Sequence, residues 1–577
     1  MGQKGESSAE KTGFPKVKPW FTRNAKLLVA CFAVGMICHA QMYLNGLSNP
    51  DAVASLSNPN GYGSFIPHAW DISLGRWGLL FAAYAKFGLC SPILTSAITI
   101  ALFALGVVLL IDRLGIKCAC LRYASSILFI VSPFVSCCIT YYYCSNSYAL
   151  SFLCAVLAVC LIGRVGAVGK PAALLGAVVL LAFSLGCYQA SLGVFCVAVL
   201  LVMVRSLMGG ASEFLACGTH GGETRGSCSE EDLSTRSSFS AKQLAVFFGA
   251  AVAVCAAGAV LYYALTELSL LVSGVGLSAY GGASSVGAGS ILGSLTSSVP
   301  SAYAAFFDSF FSHGIFGNHF GWVYVAGIGM AITTAAFIGL AATAGAKRLG
   351  ASIVALLCIA LIPLAANVVL IIVPSYGYPT LLMLGGFMAS FLLLSLLVQL
   401  LIDSPERRNV RLRVPAKAMS IGCCCLIAVG AWSYALQSNA DADVMKACQN
   451  QTASLATRIA GALDANPDVQ AGAKVLIAGK PEAGNYPNTS DSYAHASSYA
   501  KWGMVWDNHY QNNMRSWDVI MKQFAGQSFS YCSFGECAKV VRSSEFANMP
   551  LYPADDSVAI IDGVVVVKIS DISKYSE

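Results

Sequence analysis

Long apolar segments alternate with shorter polar segments along most of this chain. The apolar segments approach the ~20 residues that an α-helix needs to cross a bilayer, so the pattern predicts about eleven membrane-spanning helices. They are expected at about 25–47, 93–111, 123–140, 148–162, 171–188, 191–204, 244–266, 321–343, 351–373, 379–402 and 418–436. The stretch from 171 to 204 leaves little room for two crossings.

The composition agrees with this pattern. Of the 577 residues, 56% are hydrophobic and 11% are charged, whereas a soluble protein carries about 25% charged residues. The predicted fold class is therefore an all-α polytopic membrane bundle. Most of the 22 cysteines fall inside apolar segments, where a thiol behaves as a small hydrophobic group, so they do not indicate a disulfide framework.

The positions of the basic residues predict the orientation of the bundle. With residues 1–24 as a cytosolic tail, 22 of the 24 Lys and Arg residues before position 437 fall in cytosolic segments or at their edges. This agrees with the positive-inside rule, and it leaves only Arg76 and Lys86 on the outer side. An odd number of crossings puts the C-terminal region outside the cell membrane. The net charge of +6 therefore does not indicate nucleic-acid binding.

Three segments interrupt the expected membrane domain, 25–437. They are a first outer loop with an interfacial helix (48–92), a Gly/Ser-rich cytosolic insert (208–241) and an outer loop rich in aromatic residues (268–320). Residues 438–577 have the composition of a soluble domain, and we expect a small extracytoplasmic α/β domain there. Helices are predicted at 441–463 and 499–524, a strand at 474–479, and a hairpin around Asp562-Gly563. Cys532 and Cys537 could pair outside the cytosol.

Charged residues on the outer side are the first candidates for chemistry, because an ionisable group beside a bilayer is costly. Asp51 follows Asn49-Pro50 directly after the first span, and Asp71 lies in the same outer loop. Asp308 is a further outward acid. The guanidinium of Arg76 matches the geometry of a phosphate group. Alternatively, Asp71 and Arg76 form a structural ion pair.

Further polar and aromatic residues on the outer side could bind a substrate. Aromatic side chains could stack on sugar faces, although anchoring in the membrane interface explains them equally well. A lone histidine is more often a hydrogen-bonded structural residue, and the Tyr-Gln pair could simply end a helix. These candidates are His68, Trp70, Trp77, Tyr188 and Gln189.

Four motifs carry a resemblance to a known family: NPD (49–51), SLGRWG (73–78), SLGCYQA (184–190) and VVVVK (564–568). In their order and their positions relative to the spans, they resemble the bacterial membrane glucosyltransferases typified by phage-encoded O-antigen glucosyltransferases, of the GT-C type. The resemblance implies transfer of a sugar, with glucose expected, from a polyprenyl-phosphate donor to a cell-surface glycan on the outer face of the membrane.

The resemblance also implies roles for the candidate residues. The acceptor hydroxyl needs a general base, and Asp51 is the first choice with Asp71 second. Arg76 would stabilise the phosphate leaving group. No nucleotide has to be bound, so neither a metal nor another cofactor is expected, and the expected partners are the lipid donor, the glycan acceptor and membrane lipid.

Two other functions remain open from the sequence. A transporter or flippase for lipid-linked glycans would be expected to have internal repeats and ionisable groups at mid-bilayer depth. The sequence has no clear repeat, and its acids cluster at one face. A non-catalytic envelope protein that binds glycan would tolerate changes in the first outer loop.

Overall fold

The computed structural model describes residues 17–56, 69–162, 171–209, 241–278, 288–313, 317–344, 348–372, 383–403, 410–467, 469, 472–481, 492–506 and 510–572. Within these ranges, ten helical segments are long and apolar enough to cross a membrane, and the apolar helix Pro171–Cys187 is slightly shorter. The prediction of an all-α polytopic bundle is therefore confirmed.

The helices of the bundle follow one another along the chain with short connections. They are α1 (Val17–Cys38), α2 (Ala40–Leu44), α3 (Pro50–Ser55), α4 (Ala69–Ser73), α5 (Gly78–Tyr84), α6 (Pro92–Arg113), α7 (Ala119–Ile130), α8 (Pro133–Thr140), α9 (Ser145–Ile162), α10 (Pro171–Cys187), α11 (Ser191–Gly209), α12 (Ala241–Ser273), α13 (Ala288–Phe311), α14 (Trp322–Ala344), α15 (Leu349–Ala360), α16 (Ile362–Ala366), α17 (Val368–Ile372), α18 (Gly385–Ser390), α19 (Leu392–Asp403) and α20 (Val410–Ala465).

Two helices are much longer than a bilayer requires. At 1.5 Å per residue, the 33 residues of α12 extend about 50 Å, and the 56 residues of α20 extend about 84 Å. The helix predicted at 441–463 is therefore the end of a helix that begins at Val410. The expected outer loop 268–320 also contains a helix, since α13 covers Ala288–Phe311.

The C-terminal region contains a small mixed sheet with helices, as the sequence predicts. Its strands are β1 (Lys474–Ala478), β2 (Ser530–Tyr531), β3 (Val558–Ile561) and β4 (Val564–Lys568), in the order β2-β1-β4-β3. Strands β3 and β4 are antiparallel, and Asp562 and Gly563 between them have positive φ. The predicted hairpin is thus confirmed. The helices are α21 (Tyr510–Ile520), α22 (Phe534–Val541) and α23 (Ser544–Asn548).

A buried acid attaches the C-terminal region to the outer part of α20. Asp441 is fully buried. It accepts hydrogen bonds from the Ser497 backbone N–H at 2.6 Å, from the Ser497 hydroxyl at 2.9 Å and from Gln437 at 3.0 Å. Because buried carboxylates are stable only with such partners, this cluster fixes the segment that follows residue 492 against the bundle.

Candidate active site

Asp51 lies in the first turn of α3, and the residues before it explain its position. The side chain of Asn49 caps the helix by accepting a hydrogen bond from the Ala52 N–H at 2.9 Å, as expected of an N-cap asparagine. Pro50 occupies the first helical turn, where its fixed φ is favourable. The Asn49 amide also donates to the Thr140 hydroxyl at 3.1 Å, which ties Asp51 to the end of α8.

The carboxylate of Asp51 is held by the C-terminal region. The indole N–H of Trp506 donates to Asp51 Oδ1 at 2.6 Å, and α21 packs against α3. Burial raises the pKa of Asp51 above its ordinary value, while the Trp506 hydrogen bond and the positive charge of Arg76 lower it in part. A partly desolvated carboxylate with a raised pKa is a stronger proton acceptor, which suits a general base.

Arg76 lies in the turn between α4 and α5. Gly75 makes this turn with a φ of +72°, a conformation that glycine adopts without strain. The guanidinium carbon of Arg76 lies 5.4 Å from the centre of the Tyr188 ring. Among the described residues, the buried Nε of Arg76 has no hydrogen-bond partner. This leaves a cationic donor available for an anionic ligand.

A cluster of tyrosines surrounds Arg76. The rings of Tyr148 and Tyr188 meet edge to face at 4.8 Å, and Tyr141 approaches Tyr148 at 6.0 Å. Electrostatic interactions link Arg76 to Tyr148, Tyr188, Tyr143 and Asp71. Others link Asp51 to Tyr141 and Tyr143. The structure therefore brings Asp51, Asp71, Arg76 and Tyr188 together at one end of the bundle.

The sequence analysis missed the tyrosines on α8 and α9 and the role of Trp506. Tyr141, Tyr142 and Tyr143 are consecutive and directly follow α8, and all three are buried. Three aromatic hydroxyl groups at the end of an apolar helix were a usable signal. Trp506 gave no comparable local signal, because its contact with Asp51 joins distant parts of the chain.

Gln189 supports the Arg76 turn. Its amide donates to the Leu74 carbonyl at 2.7 Å and to the Tyr262 hydroxyl at 2.9 Å. A Cβ atom on Gly75 would overlap that same tyrosine hydroxyl. Gln189 and Tyr262 therefore hold the backbone that presents Arg76.

The remaining candidates are more dispersed. Trp77 is 7% exposed and packs between Phe81 and Phe183, whereas Trp70 is 50% exposed. Asp308 is exposed on α13, and that helix packs mainly against α14, α16 and α17. His68 lies outside the described residues. No group of three or more His, Cys, Asp or Glu side chains in the described ranges could hold a metal ion.

Lys86, the other cation that the sequence assigns to the outer side, has a structural partner. Its ammonium group donates to the Tyr143 carbonyl at 2.6 Å. Lys86 is 6% exposed, and burial lowers its pKa. Lys86 thus stabilises the tyrosine turn, and Arg76 is left as the cation facing the cluster.

A polytopic helical bundle with carboxylates and one arginine gathered at one end is the architecture of a membrane enzyme that acts at the bilayer surface. The family model described as "Glucosyl transferase GtrII" matches residues 64–391, more than half of the chain. The chain therefore belongs to the GtrII glucosyl transferase family, the group that its motifs resemble. No curated protein and no solved structure gives a significant match to the chain.

The family match divides the candidate site. Asp71, Arg76, the tyrosine cluster and Gln189 lie inside residues 64–391, whereas Asp51 and Trp506 lie outside them. The chain is a glucosyltransferase by family, and its cation and aromatic groups belong to the matched region.

Proposed function

We propose that this glucosyltransferase moves glucose from a polyprenyl-phosphate donor to a cell-surface glycan at the outer face of the membrane. The observation that carries this proposal is the pairing of functions at one end of the bundle. Arg76 offers a buried donor without a partner among the described residues, and it interacts electrostatically with the carboxylate of Asp51.

The proposed reaction uses both groups. The acceptor hydroxyl gives its proton to Asp51 as its oxygen forms a bond to C1 of glucose. The bond from C1 to the phosphate oxygen breaks, and its electron pair stays on the phosphate, where the guanidinium of Arg76 stabilises the developing charge. Asp71 is the second choice of base. The hydroxyl groups of Tyr148 and Tyr188 are candidates for hydrogen bonds to the phosphate or the sugar.

Two features support the outer face as the location of this site. Cys532 and Cys537 form a disulfide, and such bonds persist in oxidising compartments outside the cytosol. Trp506 and Asp51 are hydrogen-bonded, so the candidate base is on the same side of the membrane as the C-terminal region. A lipid-borne sugar would reach this end of the bundle from the bilayer surface.

The proposal is tested with purified protein in detergent or proteoliposomes, supplied with polyprenyl-phosphate glucose and candidate surface glycans. We expect Asp51→Asn to reduce kcat by about 10² to 10⁴, the usual contribution of a general base. Asp71→Asn is assayed beside it, to test the second choice of base.

The matched control is Glu267→Gln, because Glu267 is an exposed acid near the end of α12. This variant should transfer glucose at the wild-type rate. Wild-type activity in both Asp51→Asn and Asp71→Asn would remove the proposed bases. Transfer by the wild type from a nucleotide sugar, but not from the lipid donor, would remove the proposed donor.

A further inference from the structure

The C-terminal region reaches the candidate base through one tryptophan. We propose that Trp506 is a positioning residue that orients the Asp51 carboxylate, so that the C-terminal region completes the active site. This inference rests on the role of Asp51 in the proposed function. Trp506 and Asp51 both lie outside the matched range 64–391, so the pairing is a feature of this chain's own architecture.

The indole of Trp506 is held rigidly from within the C-terminal region. Asn513 on α21 is fully buried, and its amide donates to the Trp506 carbonyl at 3.1 Å and to the Gly479 carbonyl at 2.8 Å. Trp517 donates to the same Gly479 carbonyl at 2.9 Å. The backbone of Trp506 is thereby fixed to the end of β1, and the preceding Val505 is buried.

The hydrogen bond leaves the second carboxylate oxygen available for chemistry. Trp506 donates to Oδ1 of Asp51 at 2.6 Å, and among the described residues no hydrogen bond reaches Oδ2. An indole N–H can only donate, so this contact favours the ionised carboxylate. It also fixes the rotation of the carboxylate, so that Oδ2 is held ready to accept the proton of the acceptor hydroxyl.

The charge balance around Asp51 gives the contact a measurable consequence. The titratable and charged groups that interact with Asp51 are Arg76 from the α4–α5 turn and Tyr141 and Tyr143 from the end of α8. Burial of Asp51 favours its protonated form, and the indole N–H opposes this effect. A hydrogen bond to a charged group is strong enough to shift a pKa by about one unit.

The test is the pH profile of kcat/KM for glucose transfer by the full-length protein, with polyprenyl-phosphate glucose as the donor. Trp506→Phe retains an aromatic ring but lacks the N–H. We expect its acid limb to move upward by about one pH unit, so that transfer below that limb falls about tenfold. Trp506→Tyr restores a donor and should recover part of this shift.

The matched control is Trp502→Phe. Its ring lies 5.8 Å from that of Trp506 and has no hydrogen bond to Asp51 among the described contacts, so the wild-type acid limb should be retained. Thermal unfolding in detergent monitors the fold of each variant, and Trp506→Tyr carries the test if Trp506→Phe does not fold.

An acid limb of Trp506→Phe, or of Trp506→Tyr where it replaces that variant, that coincides with wild type would overturn the role of Trp506. If Asp51→Asn is inactive in the same assay, the proposed function survives that result. If Asp51→Asn is fully active, the assignment of the base fails and the role of Trp506 fails with it.

Discussion

Arg76 and Lys86 are the two cations that the sequence assigns to the outer side, and their surroundings separate their roles. Lys86 is bound to the carbonyl of Tyr143, whereas the Nε of Arg76 has no partner among the described residues. The sequence could identify both cations, because charge is scarce in the apolar part of the chain. It could not distinguish them, because the partner of Lys86 is a backbone carbonyl and backbone carbonyls leave no signature in a sequence.

At the residue scale we predict that Arg76→Lys impairs catalysis although it keeps the charge. Lysine lacks the planar fork that binds two phosphate oxygens, and the loss of one aligned donor to a developing charge costs about 10² to 10³ in rate. The measurement is kcat and KM for the lipid donor, with the unfolding temperature determined in parallel.

Lys86→Met is the comparison for the Arg76 experiment. It should lower the unfolding temperature, because the Tyr143 carbonyl loses its donor. The folded fraction should retain a donor KM within a few-fold of wild type. Arg76→Lys with unchanged kinetic constants would show that the guanidinium does not bind the leaving group.

At the scale of elements, the short helix α5 and its contact with α10 determine where Arg76 points. The sequence predicts a helix too short to span after Arg76, and α5 (Gly78–Tyr84) confirms it. It did not predict the partner helix. Trp77 lies against Gly186 of α10, where any side chain would collide with the indole ring. A glycine in an apolar helix does not indicate which ring it accommodates.

We predict that Gly78→Ala disturbs the site through this contact. A Cβ atom at position 78 would lie 2.6 Å from the backbone nitrogen of Cys187, so α5 must move away from α10. We expect destabilisation of about 1–3 kcal/mol, measured by thermal or denaturant unfolding in detergent. Transfer activity should fall as well, because Arg76 lies two residues before Gly78.

Gly249→Ala is the control for the Gly78 experiment. Gly249 lies in α12, and nothing within 4 Å would meet its Cβ atom. Alanine favours a helix over glycine by about 1 kcal/mol, so this variant should be as stable as wild type or more stable. Equal stabilities of the two variants would contradict the close packing of α5 on α10.

Local signals predicted the C-terminal elements better than changes of composition did. The Asp562-Gly563 hairpin was predicted correctly, because the turn residues themselves determine a two-residue turn. The start of the 441–463 helix was misplaced, because the composition becomes polar at about 438 whereas α20 continues without interruption from Val410 to Ala465. A change from apolar to polar residues marks a change of surroundings, and a helix can pass through it.

At the scale of the whole molecule, charged residues gather at the end of the bundle formed by the start of α1, the end of α6 and the start of α7. Asp112 accepts hydrogen bonds from Trp20 at 2.6 Å, from Asn24 at 3.0 Å and from Arg23 at 3.0 Å. It also forms an ion pair with Arg122. This basic cluster corresponds to the side that the positive-inside rule assigns to the cytosol, and the C-terminal disulfide is expected on the other side.

This arrangement predicts the result of a topology experiment. A reporter that is active only outside the cytosol should be active when fused after residue 572 and inactive when fused after residue 209. A reporter that fluoresces only in the cytosol should give the opposite pattern. Because Trp506 donates to Asp51, a cytosolic C-terminal fusion would put the candidate base in the cytosol, where the proposed outer-face reaction could not occur. An error of two spans elsewhere would leave the side of the C-terminal region unchanged, so the experiment tests the location of the site independently of the exact number of helices.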